Sequence, residues 1–439
     1  MKVKTFLTLS IIFSVLMTSC TKKQEQNPLF EDFNTPYGSI PFSKIKNEHY
    51  MPAIDRGIEL AKAEIDSIVN NPEAPTFQNT IEALEKSGAD LNRVNSIFFN
   101  ILEANSNDEL MNLSLEASKK LSDYSTDIIL NEGLWKRIKA VYENKDQLNL
   151  NPEEATLLQN TYDSFANSGA NLQGEDREKF KKLSSELSEL TTVFGQNVLK
   201  ELNTYEIWLT KDDLSGLPET AVNAAAESAK EKGREGEYLF TLAQPTYIAF
   251  MKYSSRPDLR EKMYKLYMGR NMQGEYSNME NVKKISSLRL EIAKLLGFNN
   301  FAEQKLKDTM AQKPEAVYNL LNQLRDAYRP AQQKEFVELT AYASEIEGKP
   351  VQIMPWDYSY YSNKLKEAKY SFDEEALRPY FELNNVINGV FGLATKLYGL
   401  KFTEVKDVDI YHPDVKAYKV EDENGKYVGL IYTDFFPRE

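Results

Sequence analysis

The 439-residue sequence has very little of the two side chains on which much protein chemistry depends. It contains one cysteine, Cys20, and two histidines, His49 and His412. A single cysteine excludes a disulfide within the chain. A zinc site needs three or four ligands, and two histidines separated by most of the chain are unlike the ligand sets that zinc sites use. Without a thiol or a histidine pair, a conventional nucleophile–base arrangement is also excluded. We therefore expect both histidines to be structural.

Other absences argue against further classes of function. The net charge of −13 reflects a shortage of basic residues and argues against nucleic-acid binding, which needs clustered Lys and Arg. We find no glycine-rich phosphate loop and no repeat of fixed length. An apolar content of 41% still allows a sizeable core. The length then fits two or three domains, or one large helical body.

The N-terminus has the features of an export signal. Lys2 and Lys4 precede an apolar run over residues 6–17, and small residues lead to Cys20. The run is too short for a comfortable transmembrane helix. The ending MTSC resembles a bacterial lipobox, which implies lipidation of Cys20 and a mature protein anchored in the bacterial cell envelope, facing the periplasm or in the outer membrane. An ordinary signal peptide with a coincidental cysteine is the alternative.

Apolar side chains recur at steps of three and four in several segments, which predicts a mainly helical fold. The clearest stripes consist of Ile54, Ile58, Ala61, Ile65 and Ile68; Phe180, Leu183, Leu187, Leu190 and Phe194; and Ile285, Leu288, Ile292 and Leu295. Pro52 suits the first turn of the first helix, and residues 70–72 (NNP) end it. The second stripe spans only about three heptads, so packing in a helical bundle is favoured over a coiled coil.

Local signals also mark caps and a hairpin. Gly297 suits a helix C-terminus, and Asn300 with Glu303 suits the start of the next helix. Residues 415–420 and 427–431 alternate as strands around 422–425 (DENG), which predicts a β-hairpin. The DENG segment is too short for a calcium loop and is interpreted as a turn. Residues 356–361 (WDYSYY) form an aromatic cluster, for which core packing and a groove lining remain open.

Several stretches resemble, in order, the thimet oligopeptidase and neurolysin family of zinc metallopeptidases. The bacterial peptidyl-dipeptidases, also called dipeptidyl carboxypeptidases, are the most similar branch. The matching stretches are residues 75–85 (PTFQNTIEALE), 256–261 (RPDLRE), 288–298 (LRLEIAKLLGF), 355–361 (PWDYSYY), 372–381 (FDEEALRPYF), 411–415 (YHPDV) and 432–438 (YTDFFPR).

The resemblance implies a mainly α, two-lobed fold with a deep channel and a small β-sheet near the C-terminal end of the sequence. The N-terminal features predict a signal peptide (1–20) and a tether (21–40), and the resemblance divides the rest into an N-terminal helical region (41–250) and the front part of a catalytic domain (251–439). It also implies zinc-dependent hydrolysis of short peptides, with release of C-terminal dipeptides. The expected partners are short peptides and, through the anchor, a membrane, for a protein that is otherwise a monomer.

The family's zinc motif, H-E-x-x-H, lies beyond the last matching strand in its members, and the present sequence contains no such motif. We therefore expect a truncated chain without catalytic, cofactor-binding or metal residues, which by itself neither binds zinc tightly nor cleaves peptides. A non-catalytic helical lipoprotein, acting as a peptide-binding or scaffold protein, is the alternative. Residues 428–436 (VGLIYTDFF) would then form an unprotected strand edge, so the isolated chain is expected to aggregate.

Overall fold

The computed structural model describes residues 27–371 and 375–436, and 67% of these residues are helical. Cys20, the predicted signal peptide and the first part of the predicted tether lie outside these residues. No helix of the described part is long and apolar enough to cross a bilayer. The α-helices run from α1 to α15 as follows: Asn47–Val69, Ala83–Lys86, Ala89–Ala104, Asp108–Ile129, Glu132–Glu143, Pro152–Asn167, Gly174–Thr204, Glu219–Glu231, Gln244–Tyr253, Pro257–Met268, Met279–Leu295, Phe301–Leu306, Pro314–Glu347, Tyr358–Tyr370 and Leu383–Tyr398.

Two small antiparallel sheets accompany the helices. β1 (Ile207–Leu209) pairs with β2 (Tyr238–Phe240) in the middle of the chain. Near the C-terminus, β3 (Lys401–Val405), β4 (Lys416–Glu421) and β5 (Tyr427–Thr433) form a sheet in the order β3-β4-β5. The mainly helical fold class with a small sheet near the end of the sequence is therefore confirmed. A π-helical turn, Phe77–Glu82, precedes α2, and short 3-10 turns lie at Pro28–Phe30, Pro36–Gly38, Phe42–Lys44, Lys145–Gln147, Lys211–Asp213 and Glu375–Phe381.

Helix α1 begins earlier than the sequence indicates. It starts at Asn47, so Pro52 lies inside the helix and the prediction that Pro52 marks its first turn is wrong. The start is fixed by His49, whose Nδ1 accepts a hydrogen bond of 3.1 Å from the backbone N–H of Lys46. This bond satisfies a donor at the helix entrance. The helix ends at Val69, as the NNP segment predicts.

The bundle interpretation of α7 is confirmed. This helix packs between α4 and α11, and the apolar stripe that begins at Phe180 and Leu183 meets Leu288 and Ile292 of α11. Helix α11 ends before Gly297, whose φ of +85° favours glycine. Asn300 then caps α12 by accepting a hydrogen bond from the backbone N–H of Glu303.

The dense cores lie in the first three hundred residues. One core joins α1, α3 and α4 around Phe98 and Ile54, and a second joins α5 and α6 around Leu134 and Ile138. A third surrounds Phe240 and includes side chains from α9 and α10. Helix α9 crosses position 250, and the boundary expected there stays a prediction. Leu29, within the predicted tether, is buried against α1.

Candidate functional site

The structure confirms the predicted hairpin. It is formed by β4 and β5 and lies near the matching C-terminal motifs. Asp422 closes its turn, because Oδ1 accepts hydrogen bonds from the backbone N–H groups of Asn424 at 2.8 Å and Lys426 at 2.9 Å. Gly425 follows with φ of +79°. The DENG segment is therefore a turn, as the sequence predicts.

One face of this C-terminal sheet packs against helix α15. Phe391 stacks on Phe402 of β3 at a ring distance of 4.2 Å and meets Tyr418 of β4 edge-on at 5.0 Å. Burial raises the pKa of the Tyr418 phenol, so it remains a neutral hydrogen-bonding group at physiological pH. These contacts hold the central strand β4 firmly, while β3 and β5 form the two edges of the sheet.

An N-terminal arm, residues 27–46, also contacts the C-terminal sheet. The Phe42 ring meets Tyr411 and Tyr432 edge-on at 5.3 and 5.9 Å. Next to it, the Ser43 backbone N–H and hydroxyl both donate to Asp409 Oδ2, at 3.1 and 2.5 Å. Three aromatic rings and an ion-dipole contact thereby fix the position of β5 relative to the arm.

The arm also creates a buried polar group at the end of β5. The Tyr432 hydroxyl has no hydrogen-bond partner among the described residues, and burial raises its pKa. Tyr411 Oη donates to Asp434 Oδ2 at 2.8 Å nearby. Leaving this buried phenol unpaired costs roughly 1–3 kcal/mol.

Strand β5 is the part of the sheet best suited to bind an extended peptide. It pairs with β4 on one side, and no described strand pairs with the other side. Val428 and Ile431 are exposed along it. An edge strand offers backbone N–H and C=O groups to a peptide of almost any sequence. The arrangement therefore supports sequence-tolerant peptide binding.

A second concave surface lies between α9 and α14. This groove has a volume of about 390 Å³ and is lined by aromatic and apolar side chains that include Tyr247, Met251 and Tyr358. Burial raises the pKa of Tyr247 to about 12, so its phenol stays neutral. Of the aromatic cluster, Tyr358 faces this groove, whereas Tyr360 and Tyr361 are buried. Both interpretations of the cluster thus apply, each to different residues.

Two of the matching motifs meet beneath the groove. Arg260, from RPDLRE, is almost fully buried and donates through Nη2 to Asp357 Oδ1 of PWDY at 2.7 Å. Its Nη1 donates to the Ser254 carbonyl at 2.6 Å, and its guanidinium lies over the Tyr360 ring at 4.1 Å. This pair was not predicted from the sequence, although both residues lie in the matching motifs. Its role is to hold α10 against the start of α14.

The described residues do not fit a zinc ion. They contain no group of three or more His, Cys, Asp or Glu side chains placed to hold a metal. His49 caps α1, and His412 Nδ1 accepts a 3.3 Å hydrogen bond from the Asp414 backbone N–H in a turn. Both histidines are thus engaged in local structure, as the sequence predicts.

Similarity to known proteins agrees with this geometry. Residues 250–439 match peptidase family M3. Dipeptidyl carboxypeptidase of Escherichia coli (strain K12) is 35% identical over 416 residues, and oligopeptidase A of the same strain is 34% identical over 419. Each match covers 94% of this chain and 61% of the relative. Organellar oligopeptidase A of Arabidopsis thaliana is 30% identical, with 52% of its length covered.

The chain therefore spans about three fifths of the length of the curated bacterial relatives it matches. The matched family segment includes the last residues of α9, the whole of α14, the Arg260–Asp357 pair and the whole C-terminal sheet. The resemblance found in the sequence is thus confirmed, in that residues 250–439 match the model of peptidase family M3.

Proposed function

We propose that the protein containing these 439 residues hydrolyses short peptides and releases dipeptides from their C-termini. The similarity to dipeptidyl carboxypeptidase over 94% of the chain carries this proposal. Strand β5 supports it, because an edge strand holds an extended peptide through its backbone without demanding particular side chains. The residues described here supply walls and peptide contacts to the reaction.

Family M3 depends on zinc in general. Because the described residues do not fit the ion, we assign the zinc ligands to a part of the peptidase other than these residues. The 439-residue chain alone is accordingly inactive in this proposal. When bound, zinc supplies an activated water for peptide hydrolysis.

Expression of the complete reading frame from which the sequence derives tests the proposal. An N-acetylated tetrapeptide should yield a free C-terminal dipeptide by mass spectrometry, and a chelator should stop the reaction until zinc is restored. No hydrolysis, or hydrolysis unaffected by the chelator, would refute it. The 439-residue chain serves as the control, and zinc-dependent turnover by that chain alone would contradict our assignment of the ligands.

A non-catalytic peptide-binding or scaffold lipoprotein is the alternative, and nothing in the similarity to known proteins supports it. Peptide binding without cleavage by the complete protein would establish it. Hydrogen exchange tests whether the peptide binds at β5, since a peptide bound there should slow exchange of the β5 amides specifically.

We also propose that the protein is anchored in the cell envelope through lipidated Cys20. The lipobox-like ending MTSC is the only support for this localisation. Cys20→Ser should move the protein from the membrane fraction to the soluble fraction of a bacterial expression host. The same fractionation for both proteins would rule the anchor out.

A further inference from the structure

The N-terminal arm contacts two parts of the molecule that lie far apart in the sequence. Its first residues rest on the N-terminal helices, where Leu29 is buried against α1 and Asp32 forms an ion pair of 2.7 Å with Arg93 of α3. The Arg93 guanidinium also lies over the Phe33 ring at 5.4 Å. A buried leucine, an ion pair and a cation–π contact therefore attach this part of the arm to the helices.

Two later residues of the arm connect it to the C-terminal sheet. The Phe42 ring packs against the core of α1, α3 and α4, and it also meets Tyr411 and Tyr432 edge-on. Ser43 donates twice to Asp409, which lies in the connection between β3 and β4. We call Phe42 and Ser43 the clamp, because they join the sheet to the helices.

Before the clamp, residues 35–39 form a tight turn, which we call the tip. The backbone N–H of Gly38 donates to the Thr35 carbonyl at 3.0 Å. Tyr37 and Gly38 follow each other with φ of +61° and +65°. This left-handed conformation suits glycine, but it strains a tyrosine. The tip therefore stores strain at Tyr37.

An exposed contact holds the strained tip in place. The Tyr37 ring stacks on the ring of Tyr427, the first residue of β5, with centroids 5.5 Å apart. Tyr427 Oη also donates to the Tyr37 carbonyl at 3.4 Å. Tyr37 is 39% exposed and Tyr427 is 43% exposed, whereas Phe42 of the clamp is partly buried in a core. At the tip, backbone strain thus opposes an aromatic contact of similar size.

We propose that the arm is a strap with two separately releasable parts. The tip opens and closes against Tyr427, whereas the clamp keeps the C-terminal sheet attached to the N-terminal helices. Opening relieves the strain at Tyr37 and uncovers the start of β5. Asn105, at the end of α3, donates to the Tyr411 carbonyl at 3.3 Å, so the sheet retains a contact with the helices when the clamp is released. The inference stands whether or not the protein hydrolyses peptides.

Hydrogen exchange of the 439-residue chain, resolved to single amides, tests the tip. Tyr37→Ala and Tyr427→Ala should each raise exchange of the Gly38 amide severalfold and leave the Ser43 amide unchanged. The double variant should add nothing further, since either substitution removes the same contact. Tyr318→Ala, at a position of α13 that is 65% exposed, is the control and should change neither amide.

A further substitution separates strain from ring stacking. Tyr37→Asn removes the ring but introduces a residue that tolerates the left-handed conformation and favours such a turn before glycine. The Gly38 amide should therefore exchange more slowly in Tyr37→Asn than in Tyr37→Ala. Equal exchange in the two variants would show that the tip carries no strain and would overturn the proposal.

Phe42→Ala tests the clamp. Exchange should rise severalfold at the tip, at the Ser43 amide and over residues 411–415 and 430–433. Helices α5 and α6, which belong to a separate core, should stay protected. Ser43→Ala is the milder change and should give the same pattern to a smaller extent. It replaces Phe42→Ala if circular dichroism shows that the latter does not fold.

Three other results would also overturn the proposal. Increases at both the Gly38 and Ser43 amides in every arm variant would show that the arm is one rigid unit. An unchanged Gly38 amide in Tyr427→Ala would show that the ring stack does not hold the tip. Loss of protection throughout α1 and α3 in Phe42→Ala would show that the arm is part of the helical core and not a strap.

Discussion

Residues 27–309 and residues 310–436 bury their apolar side chains to very different extents. The first region contains four of the five buried clusters, whereas the fifth, around Leu339, belongs to the second region. Most exposed large apolar side chains among the described residues lie after position 309. A regular helix therefore does not by itself imply burial of its apolar side chains, since both regions contain long, regular helices.

The largest expected effect is at the centre of the first region. Phe98 is fully buried against Tyr50 and Phe99. Phe98→Ala should lower the free energy of unfolding by about 4 kcal/mol, through lost transfer energy and a cavity. Phe381→Ala, at a side chain 65% exposed in the second region, should cost less than about 0.5 kcal/mol. Urea unfolding measures both losses, and equal values would contradict the difference in burial between the two regions.

The second-largest loss of stability is expected at the contact between the two regions, the buried pair of Arg260 and Asp357. Asp357→Asn leaves the buried guanidinium of Arg260 without its charged partner. We expect a loss of about 3 kcal/mol, because removing one member of a buried pair exposes the desolvation cost of the other. Asp326→Asn removes the partner of Arg325 in an exposed pair and should cost less than about 0.5 kcal/mol. Thermal melting of both variants decides whether the junction is buried in solution.

A smaller effect depends on pH. Burial raises the pKa of Tyr50 to about 12, against about 10 in an unfolded chain. Between these two pKa values the folded state retains a proton that the unfolded state loses. The contribution of Tyr50 to the free energy of unfolding is therefore fully present below pH 10 and is lost as the pH rises. Tyr50→Phe should reduce the loss between pH 9 and pH 11 by about 1 kcal/mol. An unchanged pH dependence in urea unfolding would show that Tyr50 is solvated.

The smallest effect on stability should accompany a clear effect on solubility. Val428→Lys places a charge on the exposed edge of β5, where lysine opposes edge-to-edge association. We expect the concentration at which the isolated chain aggregates to rise severalfold, with the unfolding midpoint unchanged. Val282→Lys, in the first region, should leave aggregation as it is. Light scattering against concentration distinguishes the two, and a parent chain that stays monodisperse would contradict the expectation.

The sequence predicts elements whose signals are local. The stripe through Phe180, the cap at Asn300 and the hairpin around Asp422 all depend on residues within a few positions of one another. The start of α1 was misplaced because Pro52 is an equally good signal one turn too late. The pairing of β1 with β2 was not predicted, since three-residue strands are too short to show a period.

Long-range contacts were not accessible in the same way. Arg260 and Asp357 are 97 positions apart, and neither residue's neighbours indicate that they pair. Periodicity predicts that an apolar face exists, as on α15, but not what covers it. The groove between α9 and α14 likewise depends on packing and not on a motif. The family resemblance came from the motifs, whereas the physical role of the motifs required the fold.

The contact between Ser43 and Asp409 joins residues 366 positions apart. At ribosomal rates of about 5–20 residues per second, roughly 20 to 70 seconds pass between synthesis of the arm and synthesis of its partner. The helices of the first region have emerged by then and are free to pack. The arm can therefore attach to the sheet only after the helices of the first region have had time to pack.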